Sequence, residues 1–379
     1  MFTTNKKISV LHPFINKKWW AVNMMIYLSD FLSKNNNNVS FYTFSYDKQI
    51  FPLDLKVVYF KNSRLVSFVK IAYSIRNSDF IFIWNSPMHF VWVISKIFFG
   101  SKAKLIWWQH HYPWYYSWKT NVFILFKRFL EKTIIKNIDS VIVNSKYLQD
   151  SIKDIYKIDS KILYPVLDNK FLNYNRVSSH LNNNTTSHLN SLPLSGERGY
   201  KGEGSSSKVI FSYWRWSEWK NLDLVFNTYD NLKGKSRELV LMIWWVWPEL
   251  DFYKQKYEDD KNVKFLWLID KNQIIENLEK SSLLLFPSKI DSFWLVILES
   301  MSIWVPVISF NIAWAKEIIT NWINWYLVNS DSEFIDKTYE ILINSSHRNN
   351  LSIEAIKTAK TFSEENFKNS LTEIFNTMK

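Results

Sequence analysis

Cysteine is absent from this chain of 379 residues, and glycine nearly so. Without cysteine there are no disulfides, no thiolate nucleophile and no Cys-based zinc site, a pattern that suits the cytosol. Six glycines and nine prolines leave few ordinary turn-formers, where average usage of about 7% predicts roughly 27 glycines. Four of the six (Gly196, Gly199, Gly202, Gly204) crowd into one stretch. A long apolar run is also missing. The nearest approach, Phe80 to Phe99, is broken by Asn85, Pro87, His89 and Lys96, which predicts a strand, a loop and a buried helix rather than a membrane span. The start, Met1-Phe-Thr-Thr-Asn-Lys-Lys, has only one strand's worth of apolar residues behind its charges, so no signal peptide is expected. The expected location is cytoplasmic, with peripheral contact at the inner face of a membrane as the extension.

Tryptophan is abundant instead, at 20 residues. Many sit in tight-turn contexts: Trp245-Val-Trp247-Pro248, Ile303-Trp304-Val-Pro306 and Asn321-Trp322-Ile-Asn324-Trp325. Glycine suits such places because it reaches positive φ and admits close backbone approach. An indole does not. The contexts and the glycine deficit together imply a gene whose UGA codons mean glycine, written here as Trp. The alternative is a genuine Trp-rich surface on a carbohydrate- or membrane-interface binder. The formal net charge of +12 fits an anionic partner such as a nucleotide diphosphate or an anionic membrane, or else simply a Lys- and Asn-rich proteome. No nucleic-acid module is present, so nucleic acid is not an expected partner.

Apolar strands alternate with helical patterns through residues 1–175 and again through 208–355. That alternation predicts an α/β protein of two Rossmann-like, doubly wound parallel-sheet domains facing a cleft. Residues 176–207 are Ser-, Asn- and Gly-rich and predict a low-complexity, mobile linker. Residues 356–379 are expected as a C-terminal helix packing back toward the first domain.

Two constellations in the second half carry chemistry. In Tyr213-Trp214-Arg215-Trp-Ser-Glu-Trp-Lys220, two cations converge where a strand leads into a helix, and helix N-termini attract anions. Two solvated cations beside a turn are the alternative. In Pro287-Ser288-Lys-Ile-Asp291-Ser292-Phe293-Trp294-Leu295-Val296-Ile-Leu-Glu299, one carboxylate precedes a helix and another lies about two turns inside it. With glycine at 294 the intervening loop exposes backbone N–H groups to a phosphate or sugar. An ordinary helix start with two solvated acids is the alternative there.

These stretches resemble the family-4 glycosyltransferases, retaining enzymes of the two-Rossmann-domain (GT-B) type. PSKIDSFWLVILESMSIWVPV, NIAWAKEII and NWINWYLV follow that family's signature once glycine replaces Trp at 294, 304, 314, 322 and 325. IWWVWPE, NVKFLWLI and KKWWAVNMM follow it with glycine at 245, 247, 267, 19 and 20. The resemblance implies sugar transfer from a nucleotide-diphosphate sugar to a glycan or lipid-linked acceptor, with no cofactor and no metal. It implies that Arg215 and Lys220 hold the diphosphate, that Glu299 holds the ribose, and that Asp291, where the family usually has Glu, contacts the donor sugar. It places Trp19, Trp20, Trp214 and the loop Ser292-Phe293-Trp294-Leu295-Val296 around the donor, with Glu317 in support.

Trp107-Trp-Gln-His110-His111-Tyr-Pro113 is similar to the His-Tyr-Pro segment of members acting on lipid-linked acceptors, which implies that His111 faces the donor sugar. Packing beneath a loop and a metal site are the alternatives for this histidine pair. Two rival functions share the architecture: a nucleotide-sugar epimerase, and a non-catalytic sugar-binding relative if the tryptophans are genuine.

Overall fold

The structure is a computed structural model. It describes residues 5–15, 20–48, 56–60, 64–84, 88–110, 135, 137–174, 208–213, 220–236, 238–244, 250–267, 269–289, 295–312 and 315–377. The expected linker lies outside the described residues, as do the aromatic run Tyr112–Trp118 and most of Thr120–Asn137, a stretch whose sequence reads as a long helix. The chain divides into two units, one formed by residues 1–166 with 364–379 and the other by residues 167–363.

The first unit is built on a seven-stranded sheet of order β5-β3-β1-β6-β7-β8-β9. The strands are β1 (Lys7–Leu11), β3 (Asn38–Thr43), β5 (Lys56–Tyr59), β6 (Phe80–Ile83), β7 (Lys104–Gln109), β8 (Ser140–Val143) and β9 (Lys161–Ile162). Every ladder is parallel. A small parallel pair, β2 (Phe14–Ile15) with β4 (Ser45–Tyr46), stands apart. Strands such as FIFI of β6 are apolar without alternation because both faces are covered. One face packs against α1 (Trp20–Lys34) and the last helix, through Met25, Leu28, Phe82, Phe367 and Leu371. The other packs against α2 (Arg64–Ile75) and α3 (Met88–Phe99), through Ile71, Ile75, Val91 and Leu105. α4 (Lys146–Tyr156) closes this unit's helices before the crossover; Ser145 caps it by accepting from the Leu148 N–H at 3.1 Å.

The second unit carries a six-stranded parallel sheet of order β12-β11-β10-β13-β14-β15. Its strands are β10 (Lys208–Tyr213), β11 (Leu239–Trp244), β12 (Val263–Leu266), β13 (Leu283–Phe286), β14 (Val307–Phe310) and β15 (Tyr326–Val328). The helices are α5 (Asn169–Leu172), α6 (Leu222–Leu232), α7 (Leu250–Lys256), α8 (Lys271–Lys280), α9 (Leu295–Ser302), α10 (Ala315–Ile318), α11 (Asp331–Ile343) and α12 (Ser345–Lys360). Asp270 and Gln273 form a reciprocal capping box at the start of α8. Residues 356–360 thus finish α12, and α13 (Glu364–Asn376) belongs to the first unit. Among the described residues no helix is long and apolar enough to cross a membrane.

Two tryptophans occupy backbone that disfavours them. Trp304 has φ +68° and Trp322 has φ +69°. Trp304 follows the end of α9 in a Schellman turn: its N–H donates to the Met301 carbonyl at 3.2 Å, and the Val305 N–H donates to the Ser300 carbonyl at 3.1 Å. The left-handed residue of that motif is usually glycine, because a Cβ there crowds the neighbouring carbonyl. Trp322 opens the turn closed by its N–H to the Trp325 carbonyl at 3.0 Å. Neither indole is deeply packed, Trp304 being 36% and Trp322 52% exposed. Replacing either with glycine removes about 1–2 kcal/mol of backbone strain. Part of that gain is lost at 322, where the Lys337 ammonium lies 4.1 Å from the ring centre. Trp304→Gly is therefore expected to raise Tm by about 2–4 °C, and Trp322→Gly by less, in a thermal melt of the otherwise unchanged chain.

Candidate active site

Parallel strands joined by crossover helices leave helix N-termini and strand carboxyl ends on one edge of a sheet. Where the connections turn in opposite directions, that edge opens into a crevice. In the second sheet this reversal lies between β10 and β13. Tyr213 ends β10, and α9 follows β13, so their side chains meet across it. The Tyr213 hydroxyl donates to Oε2 of Glu299 at 2.8 Å. Tyr213 is buried. Glu299 as a residue is partly exposed, but its carboxyl is enclosed.

Burial pushes the Glu299 carboxyl up to about 7. The hydrogen bond from Tyr213 and the charge of Lys271 pull it back by less, and Asp168 adds to the rise. Burial, reinforced by the Glu299 charge, holds the Tyr213 hydroxyl well above its ordinary value. That phenol is a fixed donor near neutrality. Asp168 caps α5, accepting from the Lys170 N–H at 2.9 Å, and pairs with Lys271 at the start of α8. Burial raises the Asp168 carboxyl, but Lys271 and the Lys170 N–H outweigh it and leave it below the usual range. The edge therefore holds one carboxylate fixed in the ionised form and a second poised near neutrality.

Lys220 stands just before α6 and is 7% exposed. Asn221 follows it in the left-handed region, φ +53°, and makes no side-chain cap. A buried lysine just before an eleven-residue helix adds positive charge to the edge that the helix N-terminus already makes positive. Ser288, just beyond β13, is fully buried. Leu295 and Val296 begin α9, and Glu317 lies half-buried in α10 after β14. Tyr213, Lys220, Leu295, Val296, Glu299 and Glu317 thus all lie on elements at the carboxyl edge. Trp214, Arg215, Asp291, Ser292, Phe293 and Trp294 lie outside the described residues.

The first sheet reverses between β1 and β6, and an aromatic cluster sits there. His12 follows β1, Trp84 follows β6 and His110 follows β7; all three are buried. The Trp84 and His110 rings stack with centres 3.4 Å apart, and His12 meets Trp84 edge-on at 5.7 Å. The His12 ring Nδ1 lies 2.9 Å from the Phe14 carbonyl. His111 and Trp19 lie outside the described residues, and Trp20 begins α1. Among the described residues, no group of three His, Cys, Asp or Glu side chains is placed to hold a metal ion.

Sequence reasoning missed four participants. Tyr213 was the first residue of the cationic string, but nothing in the string points its hydroxyl at a carboxylate 86 positions away. Asp168 and Lys271 stand 103 residues apart and carry no motif. His12 could have been found, since it is the residue that directly follows the first strand.

Two parallel Rossmann-like units define the class: the fold is GT-B. Solved structures share it across nearly the whole chain. A glycosyltransferase from Rickettsia africae ESF-5 superposes with a TM-score of 0.76 at 16% identity, covering 99% of each chain. Anabaena Alr3699/HepE, in complex with UDP and glucose, gives 0.75 at 16% identity, covering 98% of this chain and 100% of its own. The lipopolysaccharide outer core galactosyltransferase WaaB gives 0.69 at 13%, covering 98% and 99%. Residues 197–358 match the sequence model of the family "Glycosyl transferases group 1", a stretch that contains Tyr213, Lys220, Glu299 and Glu317. A sequence search of curated proteins gives no match.

The elevated Glu299 carboxyl makes a stability prediction. Between about 4.5 and 7 the folded protein keeps a proton there that the unfolded chain has released, so stability falls as pH rises through that window. The loss amounts to about 3 kcal/mol by linkage. Glu299→Gln cannot titrate, so denaturant unfolding at pH 4.5 and pH 8 should show wild type losing that much relative to the variant. Equal pH dependence would mean that the carboxyl ionises normally in the fold.

Proposed function

We propose that the protein is a retaining, metal-independent glycosyltransferase that moves a sugar from a nucleotide-diphosphate sugar to a glycan or lipid-linked acceptor. The observation that carries this is the Tyr213–Glu299 pair at the switch point of the second sheet, with buried Lys220 on the same edge. It lies within the stretch that matches the glycosyltransferase family model. Glu299 accepts hydrogen bonds from the nucleotide ribose, and Tyr213 sets the carboxyl's orientation. Lys220 and Arg215 hold the diphosphate, and Asp291, Glu317 and the backbone of Ser292–Val296 surround the donor sugar. His111, Trp19 and Trp20 are assigned to the donor on the family resemblance.

In the transfer step the acceptor oxygen bonds to the anomeric carbon on the face the leaving group vacates. The bond from that carbon to the diphosphate oxygen breaks, and its electron pair leaves with the diphosphate. The acceptor's proton passes to the departing phosphate. Fixed positive charge from Lys220 and Arg215 stabilises the anion as it forms, which gives those side chains more weight in the transition state than in the ground state. The first acceptors to offer are a soluble glycan and a lipid-linked one, with peripheral membrane contact serving the second.

The proposal extends to the composition. Trp304 and Trp322 hold left-handed backbone, and Trp325 is fully buried with an indole N–H that meets no acceptor. These positions, with 19, 20, 214, 245, 247, 267, 294 and 314, are glycine if UGA is read as glycine. Codons TGA at 294, 304, 314 and 325 would support that assignment. TGG at all four would favour the non-catalytic sugar-binding relative instead.

The solved Anabaena protein was complexed with UDP and glucose, so UDP-glucose is the first donor to screen. Lys220→Met should reduce kcat by about 10²-fold or more, as for loss of one transition-state donor, with KM for donor changing much less. Unchanged kcat in a folded Lys220→Met protein would overturn its role at the leaving group.

A further inference from the structure

The outer surface of α2 and the end of α3 combine two properties seldom found together on a solvent-facing surface. Leu65, Val69 and Tyr73 recur every fourth residue along α2 and form one exposed stripe, Leu65 being 80% exposed. Val66 widens it. The stripe is continued by α3: Tyr73 meets Phe99 edge-on at 5.4 Å, and beside Phe99 stand Ile97, 68% exposed, and Phe98, 73% exposed. Neighbouring large apolar side chains left open to water on two packed helices mark a surface with a partner.

The charge around them is of one sign. Between residues 56 and 104 the chain has eight Lys or Arg and a single acid, Asp79. That acid is engaged, accepting from the Lys7 N–H at 2.8 Å and pairing with Lys6 at 3.6 Å. Arg76 stacks its guanidinium 3.6 Å from the Tyr73 ring centre, which fixes a cation at the rim of the apolar stripe. Lys96 sits over Trp92 in the same way at 4.9 Å. Next to this rim a concavity of about 800 Å³ is lined by Lys6, Arg76, Asp79, Gly100, Lys102 and Lys104. It lies at the amino ends of β1, β6 and β7, the opposite edge of the sheet from His12, Trp84 and His110.

We infer that this α2–α3 face docks the protein on an anionic lipid surface, with Ile97, Phe98 and the α2 stripe entering the headgroup boundary and the basic concavity receiving lipid phosphates. A second copy of the chain is a poorer occupant, because its own face carries the same positive charge. Apolar burial plus attraction to anionic headgroups is how interfacial helices bind, and neither part suffices alone at moderate salt. The inference gives the peripheral contact proposed above a place and a lipid class, and its test involves no sugar transfer.

The test is co-sedimentation of the full chain with phosphatidylcholine vesicles containing 0 to 40% phosphatidylglycerol. Wild type should pellet with anionic vesicles, little with neutral ones, and less as salt rises. Ile97→Ser/Phe98→Ser should weaken partitioning at least tenfold, and Lys96→Glu/Lys102→Glu should abolish the preference for phosphatidylglycerol. Phe252→Ser, which removes an exposed aromatic of the second unit, should bind as wild type. All three alter exposed positions, and matched melting curves would show that they fold. The inference is overturned if wild type does not bind, if it binds neutral vesicles equally, or if the α3 double variant binds as well as wild type. It is overturned equally if light scattering shows a dimer that the α3 double variant dissolves, because a second copy would then cover the face. Transfer activity on a soluble acceptor should survive in the α3 double variant, so a failed membrane test leaves the glycosyltransferase proposal standing.

Discussion

Parallel strand pairing is the constraint on which the rest depends. A parallel neighbour can be reached only by a crossover, and a crossover returns the chain to the same edge each time. Every strand in each sheet therefore ends where the next connection begins, and the polar residues that end strands gather along one edge. Tyr213 and Lys220 flank one strand-to-helix connection of the second unit, and Ser288 and Glu299 belong to another, yet the topology leaves them on that edge. The same rule in the first unit brings together His12, Trp84 and His110.

Within that frame, the Tyr213–Glu299 bond decides what the edge can do. A carboxyl so enclosed would ordinarily stay protonated at neutrality, and burial does carry it up to about 7. The phenol donor and the nearby Lys271 hold it at the margin between acid and carboxylate. Asp168 is kept ionised by that same lysine. A single cation thus divides its influence between two acids in one unit.

Much of the architecture was legible in the sequence, because strands covered on both faces read as unbroken apolar runs. FIFI and LLLF could be placed to the residue or nearly so. The left-handed turns were legible too: a residue between Ile303 and Val-Pro306, or between Asn321 and Ile-Asn324, sits where the chain has to reverse. The pairings across a sheet were not. Whether Tyr213 meets Glu299 depends on which face of β10 its ring occupies and on how α9 rotates about its axis, and neither follows from spacing. The exposed stripe on α2 was hidden for another reason. RLVSFVKIAYSI has apolar residues all round, so composition could not say which of them the core would leave outside.

The last helix has a consequence for how the molecule is made. Phe367, Leu371, Ile374 and Phe375 of α13 are buried in the core of the first unit, beside Met25, Leu28 and Phe82, and their burial contributes on the order of 8 kcal/mol at most. On the ribosome, residues 167–363 can emerge and close their own sheet while the first unit still lacks part of one wall. The unit begun first is the last to be completed. Until residues 364–376 arrive, α1 alone covers that apolar face in part, and chaperones have their longest opportunity at the rest.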